Sequence, residues 1–228
     1  MTTKNLNVTC IGAGVIGSGW AARLLVNGIN VTVFDKQPES YHRTNSSIKR
    51  AKKYLSQLTK APLRTIGNLT FAKSLEDALK IPNYIIESLP ENLELKQHLY
   101  KEIEEISIDS IILSSTSGFK PTNLQKHMKN PKKLIVTHPF NPVYLMPLVE
   151  VVPGQARDQN IIDNVQHLLE YIGMVPIIIK KEIDAFVADR MLEAMWREAL
   201  WLIKDDICTT KELDNIITSS FGIRFAQM

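Results

Sequence analysis

The most constraining stretch of this 228-residue chain runs from Asn7 to Asp35. Asn7-Val8-Thr9-Cys10-Ile11 has the apolar density of a buried strand and passes without a gap into Gly12-Ala13-Gly14-Val15-Ile16-Gly17. Trp20 to Asn27 is helical in pattern with Gly28 placed to stop it, and Asn30-Val31-Thr32-Val33-Phe34 is a second strand ending in Asp35. Strand, glycine turn, helix and strand in that order make a parallel βαβ unit. Gly12 permits the tight turn, Gly14 lets the backbone approach a pyrophosphate, and Gly17 lets the helix lie close on the strand. Gly12, Ala13, Gly14, Val15, Ile16 and Gly17 are therefore expected to cradle a dinucleotide at a helix N-terminus. Asp35 follows Gly12 by about 20 residues, the spacing of the carboxylate that takes the adenosine ribose hydroxyls. Such a carboxylate accepts from a free 2′-hydroxyl and repels a 2′-phosphate, so NAD is expected over NADP. The competing reading is a glycine-rich turn with an unrelated surface aspartate.

The rest of the chain repeats the alternation. Pro38 to Leu58 is helical and basic, Thr70-Phe71 a brief strand, Ser74 to Leu79 a short helix, and Asn83 to Ile86 a strand ending at Glu87. A helix opens after Leu89-Pro90-Glu91-Asn92 and runs to about Ile106. Ile111 to Leu113 is the next strand, leading into Ser114-Ser115-Thr116-Ser117-Gly118, and Pro121 is a good first-turn residue for a short helix. Gly154 to Gly173 holds an amphipathic helix and Val175 to Ile179 the last strand. This alternation predicts an α/β fold of Rossmann type, a doubly wound, mostly parallel sheet. From Ile183 onward Phe186, Val187, Met191, Leu192, Met195, Trp196, Leu200 and Ile203 recur at helical spacing, and Thr209 with Glu212 has the spacing of a capping box. The expected division is a dinucleotide-binding domain over 1–182 and an all-helical part over 183–228.

Composition narrows the function classes. Hydrophobic residues make up 44%, and the net charge of +3 is small against 27 basic and 24 acidic residues. The one basic cluster, Lys49 to Lys53, alternates with apolar positions, as a solvated helix face does; a phosphate or nucleic-acid patch is the lesser alternative. Cys10 sits in an apolar strand far from Cys208, which argues against a disulfide framework or a metal site. No apolar run approaches the ~20 residues of a membrane span, and the N-terminus has no signal-like region. A cytoplasmic protein acting on a small molecule is expected, with no nucleic acid and no membrane among its partners.

A second stretch carries the chemistry. Leu134-Ile135-Val136 ends at Thr137-His138, and Pro139 and Pro142 should stop strand pairing, so His138 is expected at a strand's C-terminal end, where open parallel sheets bind ligands. Leu148 to Val152 is a further strand with Glu150 between valines, a costly place for a carboxylate without a partner. His138 is the candidate partner. The alternative is a solvated glutamate on an edge strand and a histidine that merely caps a strand.

The glycine fingerprint, Glu91-Asn92-Leu93-Glu94-Leu95-Lys96, Ser115-Thr116-Ser117, His138-Pro139-Phe140-Asn141-Pro142 and Glu150 together resemble the L-3-hydroxyacyl-CoA dehydrogenase superfamily over essentially the whole chain. That resemblance implies His138 as general base, Glu150 as the carboxylate that orients it, and Ser117 as a donor to the substrate oxygen. It also implies NAD held by Asp35, Glu91, Lys96, Ser117 and Asn141. Gly17-Ser18-Gly19-Trp20, Ser117 to Thr122, His138 to Tyr144 and Asp189 to Ala199 are similar to the branch that oxidises L-carnitine to 3-dehydrocarnitine. Two departures from the acyl-CoA enzymes point the same way: the stretch between Asp35 and Thr70 is shorter than their coenzyme A-gripping arm, and their asparagine in the first helix of the second domain is here Asp189. Asp189 is thus expected either in that residue's catalytic place or facing a substrate cation. The helical part looks truncated against the family, whose full-length members imply a homodimer. Another L-3-hydroxyacid or 3-hydroxyacyl-CoA dehydrogenase, and a non-catalytic NAD-binding form, are the alternatives.

Overall fold

The computed structural model describes residues 6–58 and 66–227 and separates into two compact units, Met1–Phe186 and Val187–Met228. The first unit is built on strands β1 (Asn7–Ile11), β2 (Asn30–Phe34), β3 (Leu69–Phe71), β4 (Tyr84–Glu87), β5 (Ile111–Ser114), β6 (Leu134–Pro139), β7 (Leu148–Pro153) and β8 (Val175–Ile178). They form one sheet in the order β3-β2-β1-β4-β5-β6-β7-β8. All neighbours are parallel except β6 and β7, which run antiparallel. The chain winds outward in one direction from β1 and in the other from β4, so the switch point of the topology lies between these strands, beside the glycine turn.

Strict alternation along the strands explains why both faces are covered. Val8, Cys10, Tyr84, Ile86, Leu113, Ile135, Val149 and Val151 point to one side, where they meet Trp20, Leu24 and Leu25 of α1 (Val15–Val26) and Val165 and Leu168 of α6 (Gln159–Tyr171). Ile11, Ile85, Ile112, Leu134, Val136 and Val152 point to the other, against Leu99, Tyr100 and Ile103 of α4 (Leu93–Ile106) and Leu124 of α5 (Pro121–Gln125). α2 (Ser40–Leu58) lies on α1, with Ser18 and Ser47 hydroxyls 3.2 Å apart between them. α3 (Leu75–Ala78) is a single turn capped by Ser74.

Three sequence expectations need correction. α1 begins at Val15, directly after Gly14, rather than near Trp20, because the glycine turn delivers the chain already in helical register. β6 continues through His138 to Pro139, because Pro139 is the last residue in register with β7, opposite Val149, and its missing N–H falls at the end of the ladder. Phe186 does not belong to the C-terminal helical face: with φ of 48° it sits in a left-handed turn and is fully buried in the first unit, beside Ile11, Leu99 and Val152.

The second unit comprises α7 (Ala188–Lys204), α8 (Thr210–Thr218) and α9 (Phe221–Gln227). Thr209 closes α8 with a complete capping box: its hydroxyl accepts from the Glu212 N–H, and its N–H donates to the Glu212 carboxylate at 2.8 Å. The bonds from the Thr209 N–H and hydroxyl hold the Glu212 carboxyl below the usual range.

Candidate active site

The glycine turn is sterically determined. Gly12 has φ of 82°, and a Cβ there would stand 2.7 Å from the Ser88 carbonyl oxygen; at Gly17 a Cβ would overlap the Gly12 carbonyl oxygen at 1.8 Å. Gly14 differs, since nothing lies within 4 Å of where its Cβ would be. That open space belongs to a cavity of about 750 Å³ whose walls include Gly14, Val15, Asp35, Arg43, Ser88 and Leu89. A helix N-terminus facing open space, with a carboxylate at the end of β2, fits the pyrophosphate and adenosine ribose of a dinucleotide.

Asp35 does more than face this cavity. Its Oδ2 accepts from the Ala13 N–H at 2.6 Å and its Oδ1 from the Gln37 N–H at 2.7 Å, which fixes the carboxylate while leaving each oxygen a lone pair for a ribose hydroxyl. Arg43, on the first turn of α2, donates from Nη1 to the Ala13 carbonyl oxygen at 3.0 Å. Ala13 is therefore held at both its N–H and its C=O.

On the other side of the switch point, β4 ends in the fully buried Glu87. Its Oε1 accepts from the Leu89 N–H at 2.6 Å and Lys96 Nζ at 2.7 Å; its Oε2 accepts from Tyr100 at 2.5 Å and Ser114 at 2.7 Å. Four donors make this buried carboxylate tolerable. Burial, and next the negative charge of Glu87, push the Tyr100 phenol well above its ordinary pKa. Lys96 is 1% exposed and turned inward, reaching Glu87, the Leu89 carbonyl at 3.2 Å and Glu91 at 3.5 Å. Glu91 in turn accepts from the Thr116 hydroxyl and from the Gly118 N–H at 3.0 Å, so it clasps the loop that presents Ser117. Ser117 itself is exposed where the chain leaves β5.

His138 and Glu150 are cross-strand partners in the β6–β7 register, and His138 Nδ1 lies 3.0 Å from Glu150 Oε2 with both residues buried. When Nδ1 carries the proton that Glu150 accepts, the lone pair resides on Nε2, the tautomer a general base uses. The imidazole is flanked by Phe140, 4.7 Å between ring centroids, and Phe186 at 5.5 Å. Asn141 follows on the exposed loop after β6. Its neighbour Tyr144 packs on Ala22, Val26, Ala51 and Leu55 and is a packing residue. That loop is pinned by Arg23, a buried guanidinium on α1 that donates to the carbonyls of Tyr144 (3.2 Å), Ile172 (2.7 Å) and Gly173. Asp189 lies in the first turn of α7, in the second unit.

The sequence reading brought out Asp35, Glu91, Lys96, Ser117, His138, Asn141 and Glu150. It missed Arg43, Arg23 and the buried role of Glu87, although a carboxylate closing an apolar strand, nine residues ahead of a lysine, was a readable sign of the last. Among the described residues no group of His, Cys, Asp and Glu could hold a metal ion, and no helix is long and apolar enough to cross a membrane.

Residues 7–183 match the NAD binding domain of 3-hydroxyacyl-CoA dehydrogenase and residues 186–228 its C-terminal domain. The chain is 50% identical over 220 residues to an L-carnitine dehydrogenase of Mesorhizobium japonicum, covering 96% of this chain and 60% of that protein. It is 47% identical over 229 residues to an L-carnitine dehydrogenase/betainyl-CoA thioesterase of Rhizobium meliloti, covering 100% of this chain and 46% of that one. It thus spans about half the length of these relatives. The solved 5-formyl-3-hydroxy-2-methylpyridine 4-carboxylic acid 5-dehydrogenase, an NAD+ dependent dismutase, superposes with a TM-score of 0.90 at 31% identity over 97% of this chain and 72% of that one. By these matches the chain belongs to the 3-hydroxyacyl-CoA dehydrogenase family and carries its NAD-binding domain.

Proposed function

We propose that the chain oxidises the C3 hydroxyl of L-carnitine to 3-dehydrocarnitine. The observation that carries this reading is the buried His138–Glu150 pair, 3.0 Å apart, in a chain half identical to an L-carnitine dehydrogenase. His138 takes the hydroxyl proton as hydride leaves the same carbon, and Glu150 orients the ring and stabilises the imidazolium. NAD supplies the hydride acceptor. Ser117, presented by the loop that Glu91 clasps, donates to the substrate oxygen. Asp35, Glu91, Ser117 and Asn141 hold the cofactor, with Lys96 acting through Glu91, its near neighbour at 3.5 Å.

A trimethylammonium group donates no strong hydrogen bond, so its recognition falls to aromatic faces and carboxylates. Phe140 beside His138 is the aromatic candidate, and Asp189 the carboxylate that takes the place of the acyl-CoA enzymes' asparagine. The working assembly is a cytoplasmic homodimer formed through the helical C-terminal part, a reading supported by the exposed apolar residues of α7.

The test is NADH absorbance with L-carnitine, D-carnitine, 3-hydroxybutyrate, 3-hydroxybutyryl-CoA and the neutral tert-butyl analogue of carnitine. L-Carnitine is expected to be the best substrate. A desolvated cation–π contact of ~2 kcal/mol corresponds to roughly thirtyfold, so at least about tenfold in kcat/KM should separate carnitine from its neutral analogue. Preference for the acyl-CoA, or equal turnover of carnitine and its analogue, overturns the substrate assignment.

A further inference from the structure

The wall of the dinucleotide cavity beside Asp35 carries two cationic side chains. Lys36 and Arg43 both line it, next to the carboxylate that selects against a 2′-phosphate. Arg43 is held in place: it comes off the first turn of α2 and one guanidinium nitrogen is anchored on the Ala13 carbonyl at 3.0 Å. The neighbouring N–H, on the same residue, is bound by Asp35 Oδ2 at 2.6 Å. One residue of the glycine turn therefore fixes an acid and a base side by side, at the place where the adenosine ribose meets the protein. A guanidinium has five donors in a planar fork, so one bond to a carbonyl leaves the others for a ligand.

We propose that Arg43, with Lys36, forms a latent 2′-phosphate subsite, so that the choice of NAD over NADP in this chain rests on the single carboxylate of Asp35. With Asp35 ionised, its charge and its claim on the 2′-oxygen exclude a phosphate. With that charge removed, a phosphate dianion at the same point meets an anchored guanidinium and an ammonium, the combination that holds a phosphate by charge-assisted hydrogen bonds. Glu76 on α3 and Glu102 on α4 also line the cavity and oppose such binding, but neither is held on the Ala13 backbone as Arg43 and Asp35 are.

The inference rests on reading the cavity as the adenosine end of the cofactor site, and the experiment separates the two. NADH and NADPH are titrated separately into wild type, Asp35→Asn, Arg43→Met and the double variant, with binding read from dinucleotide fluorescence. Asp35→Asn keeps an oxygen to accept from the Ala13 N–H while losing the charge; Asp35→Ser serves if that variant does not fold. The readout is the ratio of the NADPH and NADH dissociation constants, which cancels any loosening of the glycine turn common to both. Asp35→Asn is expected to shift this ratio toward NADPH by about tenfold or more, the size of one hydrogen bond to a charged group. Arg43→Met in that background is expected to return most of the gain. A double variant with the ratio of Asp35→Asn alone overturns the proposal while the cavity reading stands, and a wild type that binds neither dinucleotide overturns both.

Discussion

At the scale of single residues the molecule uses burial to fix charge. Glu150 lies between valines on β7, and its cross-strand neighbour is His138, whose Nδ1 can donate to it at 3.0 Å. If His138 moves the substrate proton, His138→Gln loses about 10²–10⁴ in turnover and keeps NADH affinity, because the imidazole lies on β6 and the glycine turn on β1. Glu150→Gln keeps an acceptor for the Nδ1 proton but loses the charge and adds an N–H donor that can hold the ring in the wrong tautomer, so its turnover should fall as well. Single-turnover rates alongside NADH titrations check both, and a His138→Gln enzyme with the wild-type rate removes the assignment. This pair was legible in sequence because a carboxylate between valines needs a partner, and His138, 12 positions earlier at the end of the preceding strand, was the candidate. Arg23 was not. Its three acceptors lie about 120 to 150 residues away, and no local pattern states which carbonyls a buried guanidinium will meet.

Elements were readable wherever hydrophobic period and turn chemistry agreed. β1, β2 and the glycine turn follow from their own residues, as does α4, whose Asn92 side chain accepts from the Leu95 N–H at 2.9 Å. What the sequence left open was the joinery at strand ends, since that depends on which strands become neighbours. Glu87 and Ser114 touch only because β4 pairs with β5 at that register, and Lys96 joins them only because α4 packs back over the same edge. Phe186 was misread for the same reason, a helical spacing overridden by a tertiary pocket. The joinery has a measurable weight. Lys96→Met leaves Glu87 buried with an uncompensated charge, and breaking such a pair costs about 3–5 kcal/mol. Replacing both partners, as in Glu87→Gln with Lys96→Met, removes that charge and should recover part of the loss. Urea unfolding of the three proteins checks this, and a double variant no more stable than Lys96→Met would show that the ion pair is not where the energy lies.

At the scale of the whole molecule the two units differ in how they hide apolar surface. The first covers both faces of its sheet except at the edge strand β8, where Val175 and Ile177 are about half exposed, and buries Trp20, Tyr100 and Phe186 completely. The second has no buried residue on α7 or α8, and on α7 Met191, Leu192, Met195, Trp196, Leu200 and Trp201 are each about half exposed or more. Met191, Leu192, Met195, Trp196 and Leu200 fall within about half of the helix circumference, with Trp201 outside that arc, and a contiguous apolar surface of this kind marks an association site and not the scattered exposure any surface shows. A second copy of the chain is the occupant that the homodimer reading supplies. Sedimentation velocity should therefore show association that strengthens with protein concentration, and Met195→Glu with Trp196→Glu should weaken it by placing two charges in the stripe. NADH titration should be unchanged in that variant, because the glycine turn, Asp35 and the cavity all lie in the first unit. A wild-type chain that sediments as a single monomer across the micromolar range would mean that the stripe does not drive self-association.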